Sequence, residues 1–255
     1  MCIVSFLFQE HPNYKLILAA NRDEFYQRPT KEVHFWEDEP NILAGRDLEA
    51  KGTWLGITKN GRFAALTNYR DPKYFNQTGK RSRGEIVTNF LKGNMEPKAY
   101  LQSLHKHHDE YSGFNVIVGT PDDLYYYGNE DKKVRKIEPG THSLSNELLN
   151  TPWPKVTRAK SLLHEYVMNT DIVDPEVLFK QLKDREIASD EDLPKTGVSL
   201  SLERQLSPIF IRTEDYGTRS STVLLISKDN KVQLIERTFN DGDFKEEHTF
   251  QFEIN

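Results

Sequence analysis

The 255-residue chain has one cysteine, Cys2. A single thiol excludes an internal disulfide, a zinc–thiolate cluster and a cysteine-ligated iron–sulfur centre within one chain. Long apolar runs are also missing. The mean hydropathy is −0.69, and no stretch of about 18 apolar residues occurs, so a membrane-spanning helix is not expected. An excess of basic charge is missing too. Lys and Arg total 34 against 39 Asp and Glu, a net charge of −5, which gives no general attraction to nucleic acid or anionic lipid. No Walker loop, Gly-x-Gly-x-x-Gly or His-Glu-x-x-His pattern is found. The apolar stretch 2–8 is short for a signal core, has no basic flank and lacks the Arg-rich pattern of a mitochondrial leader, so a soluble cytoplasmic protein is expected.

The residues present read as strands, helices, strands, helices and strands. Residues 2–9 and 15–21 are β-rich and separated by His11-Pro12-Asn13, a turn signal. Residues 22–52 read as loop with short extended pieces. Runs 54–58 and 63–67 flank Asn60-Gly61, a strong hairpin signal. Helical patterning covers 84–91, 97–108, 156–167 and 175–182, the third with Val156, Ala159, Leu162, Leu163, Tyr166 and Val167 on one face. Residues 114–119 and 124–127 form a second expected hairpin. Short strands are expected at 133–137 and 142–146, a polar loop at 183–206, and strands at 222–227, 232–238 and 248–252. The order is not a β-α-β alternation, which disfavours a parallel sheet. Two antiparallel sheets with helices packed outside, in one domain over 1–255, fit better.

Cys2 stands out by position. Methionine aminopeptidase removes Met1 when the second residue is small, which would leave a chain beginning with a thiol and a free α-amine on one residue. The amine titrates near ~7.7–8.0 and the thiol near ~8.5, so the amine can accept the thiol proton during attack. The alternative is that Cys2 is a small buried hydrophobe in the first strand. Asn21-Arg22-Asp23-Glu24 follows the apolar Leu16–Ala20. There Arg22 could favour a thiolate and Asp23 could orient an ammonium, or the tetrad could be a solvated loop entry. Asn68 and Asn146 each end an expected strand, where a side-chain amide serves either an oxyanion or a turn. Arg219, within Thr218-Arg219-Ser220-Ser221-Thr222, precedes the apolar Val223–Ile226. His105 and His108 share a helical face but lack an accompanying acidic motif, and the basic run 80–83 reads as a solvated loop.

Taken together, the segments resemble the NRDE family, also known as the transport and Golgi organisation protein 2 family. The resemblance rests on Met1-Cys2, Ala20-Asn21-Arg22-Asp23-Glu24, Gly52-Thr53-Trp54-Leu55-Gly56 and Ala65-Leu66-Thr67-Asn68-Tyr69-Arg70. It continues through Ser82-Arg83-Gly84, Leu144-Ser145-Asn146 and Tyr216-Gly217-Thr218-Arg219-Ser220-Ser221-Thr222, nearly the whole chain in order. It implies an α+β, four-layer αββα sandwich of two antiparallel sheets, similar to the N-terminal nucleophile hydrolases of the choloylglycine hydrolase and penicillin V acylase group. By motif, Cys2 then matches the nucleophile, Arg22 and Asp23 the arginine–aspartate pair, Asn68 the oxyanion asparagine, Asn146 the second asparagine and Arg219 the distal arginine.

The implied activity is hydrolysis of a non-peptide amide of a small molecule, with no cofactor and no metal. A haem- or lipid-binding carrier on the same fold is the alternative. The hydrolases space their arginine and aspartate three apart, whereas Arg22 and Asp23 are adjacent. On a regular strand, alternation puts Asn21 with Asp23 on one face and Arg22 with Glu24 on the other, unless the strand bulges at Arg22.

Overall fold

The computed structural model describes residues 2–75 and 77–254. In chain order its elements are β1 (Cys2–Phe8), β2 (Tyr14–Phe25), β3 (Thr30–Phe35), β4 (Ile42–Asp47), β5 (Leu55–Thr58) and β6 (Phe63–Asn68). Next come α1 (Gly84–Lys92), α2 (Pro97–His105), β7 (Phe114–Thr120), β8 (Asp123–Gly128), β9 (Arg135–Lys136) and β10 (Gly140–Leu144). The chain ends with α3 (Pro154–Val167), α4 (Pro175–Leu182), α5 (Leu200–Leu206), β11 (Tyr216–Ser227), β12 (Lys231–Asn240) and β13 (Asp243–Glu253). The fold is α+β with two antiparallel sheets, as expected. It divides into two compact units, one comprising 1–27, 139–145 and 149–251, the other 28–138, 146–148 and 252–255.

The first unit is built on a six-stranded sheet in the order β10-β1-β2-β11-β12-β13. One face carries Ile3, Leu7, Ile17, Ala19, Val223, Leu225 and Ile235. These pack against Ala159, Leu163 and Val167 of α3 and Leu178, Phe179 and Leu182 of α4 in one apolar cluster. The helices begin where the sequence can start them. Pro154 and Pro175 occupy first turns, where a missing N–H is harmless. Asp174 caps α4 by accepting from the Glu176 N–H at 2.9 Å.

The second unit is a seven-stranded sheet, β3-β4-β5-β6-β7-β8-β9, covered by α1 and α2. Ile86, Val87, Phe90 and Leu91 of α1 lie at helical spacing and join Ala64, Leu66, Val116, Val118 and Tyr127 from the strands. The Asn60-Gly61 hairpin is present, with Gly61 at φ 81° and the Thr58 N–H donating to Arg62 O at 2.9 Å. Gly52 and Gly84, both within the family motifs, let two backbones touch. A Cβ on Gly52 would lie 2.6 Å from the Gly84 carbonyl carbon.

Three local expectations change. The second strand does not stop at Asn21 but runs to Phe25, held on one side by Cys2↔Arg22 and on the other by Thr218↔Asp23 and Gly217↔Glu24. The strand expected from 222 begins at Tyr216, while the short extended pieces expected within 22–52 are present as β3 and β4. The expected loop 183–206 ends in a helix, α5, whose Ser199 cap accepts from the Leu202 N–H at 3.3 Å.

Candidate functional site

The sheet of the first unit has a second face, and its rows follow from the pairing register. The deepest rows are apolar: Phe8, Leu16, Ile226 and Val232, then Phe6, Leu18, Leu224 and Leu234. The next row mixes Val4 and Ala20 with Thr222 and Glu236, and the last is Cys2, Arg22, Ser220 and Thr238. Polarity is thus concentrated at the end of the face where Cys2 lies.

Cys2 is half-buried, while Arg22 is 6% exposed. The Ser145 hydroxyl donates to Cys2 O at 3.0 Å and ties the start of β1. Burial pushes the Cys2 thiol up, and the Asp23 carboxylate adds to this. The Asp23 backbone N–H and the Arg22 guanidinium act in the opposite direction. Arg22 is the direct cross-strand partner of Cys2.

Asp23 occupies the other face, as alternation requires. Its Oδ1 accepts from the Thr218 hydroxyl at 2.8 Å, and its backbone carbonyl accepts from the Tyr216 hydroxyl at 2.8 Å. Burial raises its carboxyl above the ordinary range; the Lys155 charge, the Thr218 bond and Arg22 oppose that rise. Tyr216 is pushed well up by burial and by the Asp23 and Cys2 charges, which places its phenol among the same groups. Buried Lys155 donates to Leu206 O at 3.1 Å and also lines an open cleft of about 800 Å³ with Arg158, Ile187 and Ser207.

Asn21 shares the Asp23 face and is fully used by the fold. Its amide donates to Leu182 O and Ile209 O, both at 2.9 Å, and its Oδ1 accepts from Ser221 at 2.6 Å. The irregularity that alternation raised for Arg22 lies instead on the partner strand, between Thr218 and Ser220. The extra residue there is Arg219, whose Nη1 donates to Phe25 O at 2.8 Å. Burial and the neighbouring Arg22 charge lower the Arg219 pKa.

The structure therefore gathers Cys2, Arg22, Asp23 and Arg219 in the first unit. Asn68 and Asn146 come together in the second, where the buried Asn146 amide donates to Asn68 O at 2.8 Å and Asn146 O accepts from the Arg70 N–H at 2.7 Å. Met1, whose removal the sequence suggests, lies outside the described residues. His105 and His108 stack at 5.3 Å, but no group of three metal-ligating side chains occurs among the described residues. The basic run is engaged locally: Lys80 donates to Asp109 O, Arg81 pairs with Glu85 and Glu110, and Arg83 donates to Gly113 O. No helix among the described residues is long and apolar enough to cross a membrane.

Sequence reading does not single out Thr218, Tyr216, Lys155, Ser220 or Thr238 as individual members of a site. Alternation alone places strand residues on a face, but only the register between β2, β11 and β12 aligns the four strand residues, and Lys155 comes from the first turn of α3.

The fold is that of N-terminal nucleophile hydrolases. A structure of the mutant C2A conjugated bile acid hydrolase from Clostridium perfringens matches with TM-score 0.54 and 9% identity, over all of this chain and 98% of that one. A second variant of that enzyme matches with TM-score 0.52 and 10% identity, over 99% and 97%. In sequence, the Transport and Golgi organization 2 homolog of Mus musculus is 37% identical over 276 residues, covering 100% of this chain and 99% of the relative. The Homo sapiens homolog has the same identity and coverage, and the Drosophila melanogaster protein is 29% identical over 93% and 92%. The model of the Transport and Golgi organisation 2 family matches residues 1–241, and the chain belongs to that family.

Proposed function

We propose that the protein is an N-terminal cysteine hydrolase acting on a non-peptide amide of a small molecule. The observation that carries this reading is the direct pairing of Cys2 with Arg22 in a chain with the fold of a conjugated bile acid hydrolase. Removal of Met1 is part of the proposal. The freed α-amine takes the Cys2 thiol proton as sulfur attacks the amide carbonyl. The C–N bond then breaks, and the leaving nitrogen receives that proton. Water attacks the resulting thioester, releasing the acid and restoring the thiol.

Arg22 favours the developing thiolate, and Asp23 holds the ammonium form of the amine. Burial raises the thiol above its ordinary value, and the α-amine serves as the base that takes its proton on attack. Oxyanion donation by Asn68, a supporting role for Asn146 and a distal role for Arg219 belong to the same proposal.

The test combines intact mass of the purified protein with a panel of N-acyl amides. Loss of Met1 together with turnover that disappears in Cys2→Ala supports the reading. Retained Met1, or turnover unchanged in Cys2→Ala, overturns it. Binding of a lipid-like or haem-like ligand without turnover would favour a carrier.

A further inference from the structure

Ser220 and Thr238 are direct cross-strand partners and continue the row that begins with Cys2 and Arg22. They are 5% and 9% exposed, and neither hydroxyl has a hydrogen-bond partner among the described residues. Buried hydroxyls are rarely left so, because each then forfeits its bonds to water with nothing in return. Two side by side, in register with a buried arginine, point to a ligand group that satisfies both.

We infer that Ser220 and Thr238 together bind a carboxylate carried by the substrate, with Arg22 beside it. Directly paired strand residues have Cβ atoms about 4.5–5.5 Å apart, a span that the two oxygens of one carboxylate can bridge by accepting one bond from each hydroxyl. The positive side is supplied by Arg22 in the same row and Arg219 on the adjoining bulge. Two carboxylates bound the position. Glu24 accepts from the Phe25 N–H at 3.0 Å, and Glu236, opposite Thr222, lies one row deeper, which confines an added anion to the row of Arg22.

Strand spacing sets the ruler. Ser220 stands two strands from Cys2, about 10 Å at ~4.8 Å per strand. The carboxylate bridging Ser220 and Thr238 lies about half a spacing further, near ~12 Å, so a carbonyl held at Cys2 is separated from it by about ten bonds in an extended chain. The inference deepens the hydrolase reading and rests on it only for the position of the carbonyl. The substrate class it names is an amide with a distal carboxylate.

The test uses two probe series with 4 to ~12 intervening bonds: anilides of dicarboxylic acids, with the carboxylate on the acyl side, and N-acetylated ω-amino acids, with it on the amine side. Binding is measured calorimetrically on Cys2→Ala, and turnover on the wild type. One series should bind best at about ten bonds, at least tenfold tighter than its shortest member and than its methyl ester. Ser220→Ala and Thr238→Val, each combined with Cys2→Ala, should lose that tenfold, and Thr238→Ser should keep it. Both hydroxyl deletions should leave the melting temperature unchanged or higher, separating lost recognition from lost folding. Length-independent binding, no binding, or equal binding of ester or amine-ended probes overturns the inference, even if amides are hydrolysed. Length-selective binding to Cys2→Ala with no wild-type turnover keeps this site and sinks the hydrolase.

Discussion

Arg22 faces Cys2 directly across the first two strands, whereas its sequence neighbour Asp23 turns its carboxylate through the sheet to the Thr218 hydroxyl. Both charges act on the thiol with opposite sign, Asp23 raising its pKa and Arg22 lowering it. Adjacent residues thus act from opposite faces of one strand.

The sign of each effect gives the first prediction. Iodoacetamide labelling of Cys2, followed against pH, should show an inflection above the ordinary thiol value of ~8.5. Asp23→Asn should move it to lower pH and Arg22→Gln to higher pH. Coincident profiles for the three proteins would show that neither charge reaches the sulfur.

Stability should carry the same signature. Cys2 keeps its proton in the folded state to higher pH than in the unfolded chain. Its contribution is therefore fully present below the unfolded thiol pKa and is lost as pH rises through the folded one. In denaturant titrations, Cys2→Ala should remove that component of the alkaline loss. An unchanged difference between the two proteins from pH 7 to 10 would contradict the raised value.

Ser220→Ala deletes a buried hydroxyl with no partner among the described residues. The ligand-free protein should gain about 1 kcal/mol, since only a desolvation penalty is removed. Thermal unfolding checks this, and destabilisation by more than about 1 kcal/mol would show that the hydroxyl is used by the fold.

Asn21→Ala should behave in the opposite way. The side chain is 1% exposed and joins β2 to the end of α4, to Ile209 and to β11. Its removal strands two carbonyls and the Ser221 hydroxyl, a loss of about 2–4 kcal/mol. Urea denaturation measures it.

Gly52→Ala should destabilise the second unit by about 1–3 kcal/mol or more, because the new methyl meets the Gly84 backbone rather than a movable side chain. Gly93→Ala is the control: its Cβ would approach the Asn89 carbonyl at 3.0 Å, a milder encounter. Equal melting temperatures for Gly52→Ala and wild type would rule out the backbone contact.

Local signals in the sequence account for much of the fold. The 3.6-residue spacing of Val156, Ala159, Leu163 and Val167 marks α3, and Asn60-Gly61 marks its hairpin, because those signals act within a few residues. Strict alternation puts Arg22 and Asp23 on opposite faces. The extension of β2 to Phe25 is hidden, because polar Asn-Arg-Asp-Glu reads as loop until β1 pairs it as far as Arg22 and β11 pairs it on to Phe25. Helix α5 is hidden for a related reason: its Ser199 cap is a weak signal in a polar stretch.

By itself the sequence determined the α+β class, the family motifs, the unique thiol and, along regular stretches of strand, the face each residue takes, all consequences of local chemistry and period; the bulge at Arg219, which sends Thr218 and Ser220 to opposite faces, is not among them. Tertiary structure alone decided which faces meet in register. The row Cys2, Arg22, Ser220 and Thr238 joins positions more than 200 residues apart through backbone hydrogen bonds, whose offset no local pattern specifies.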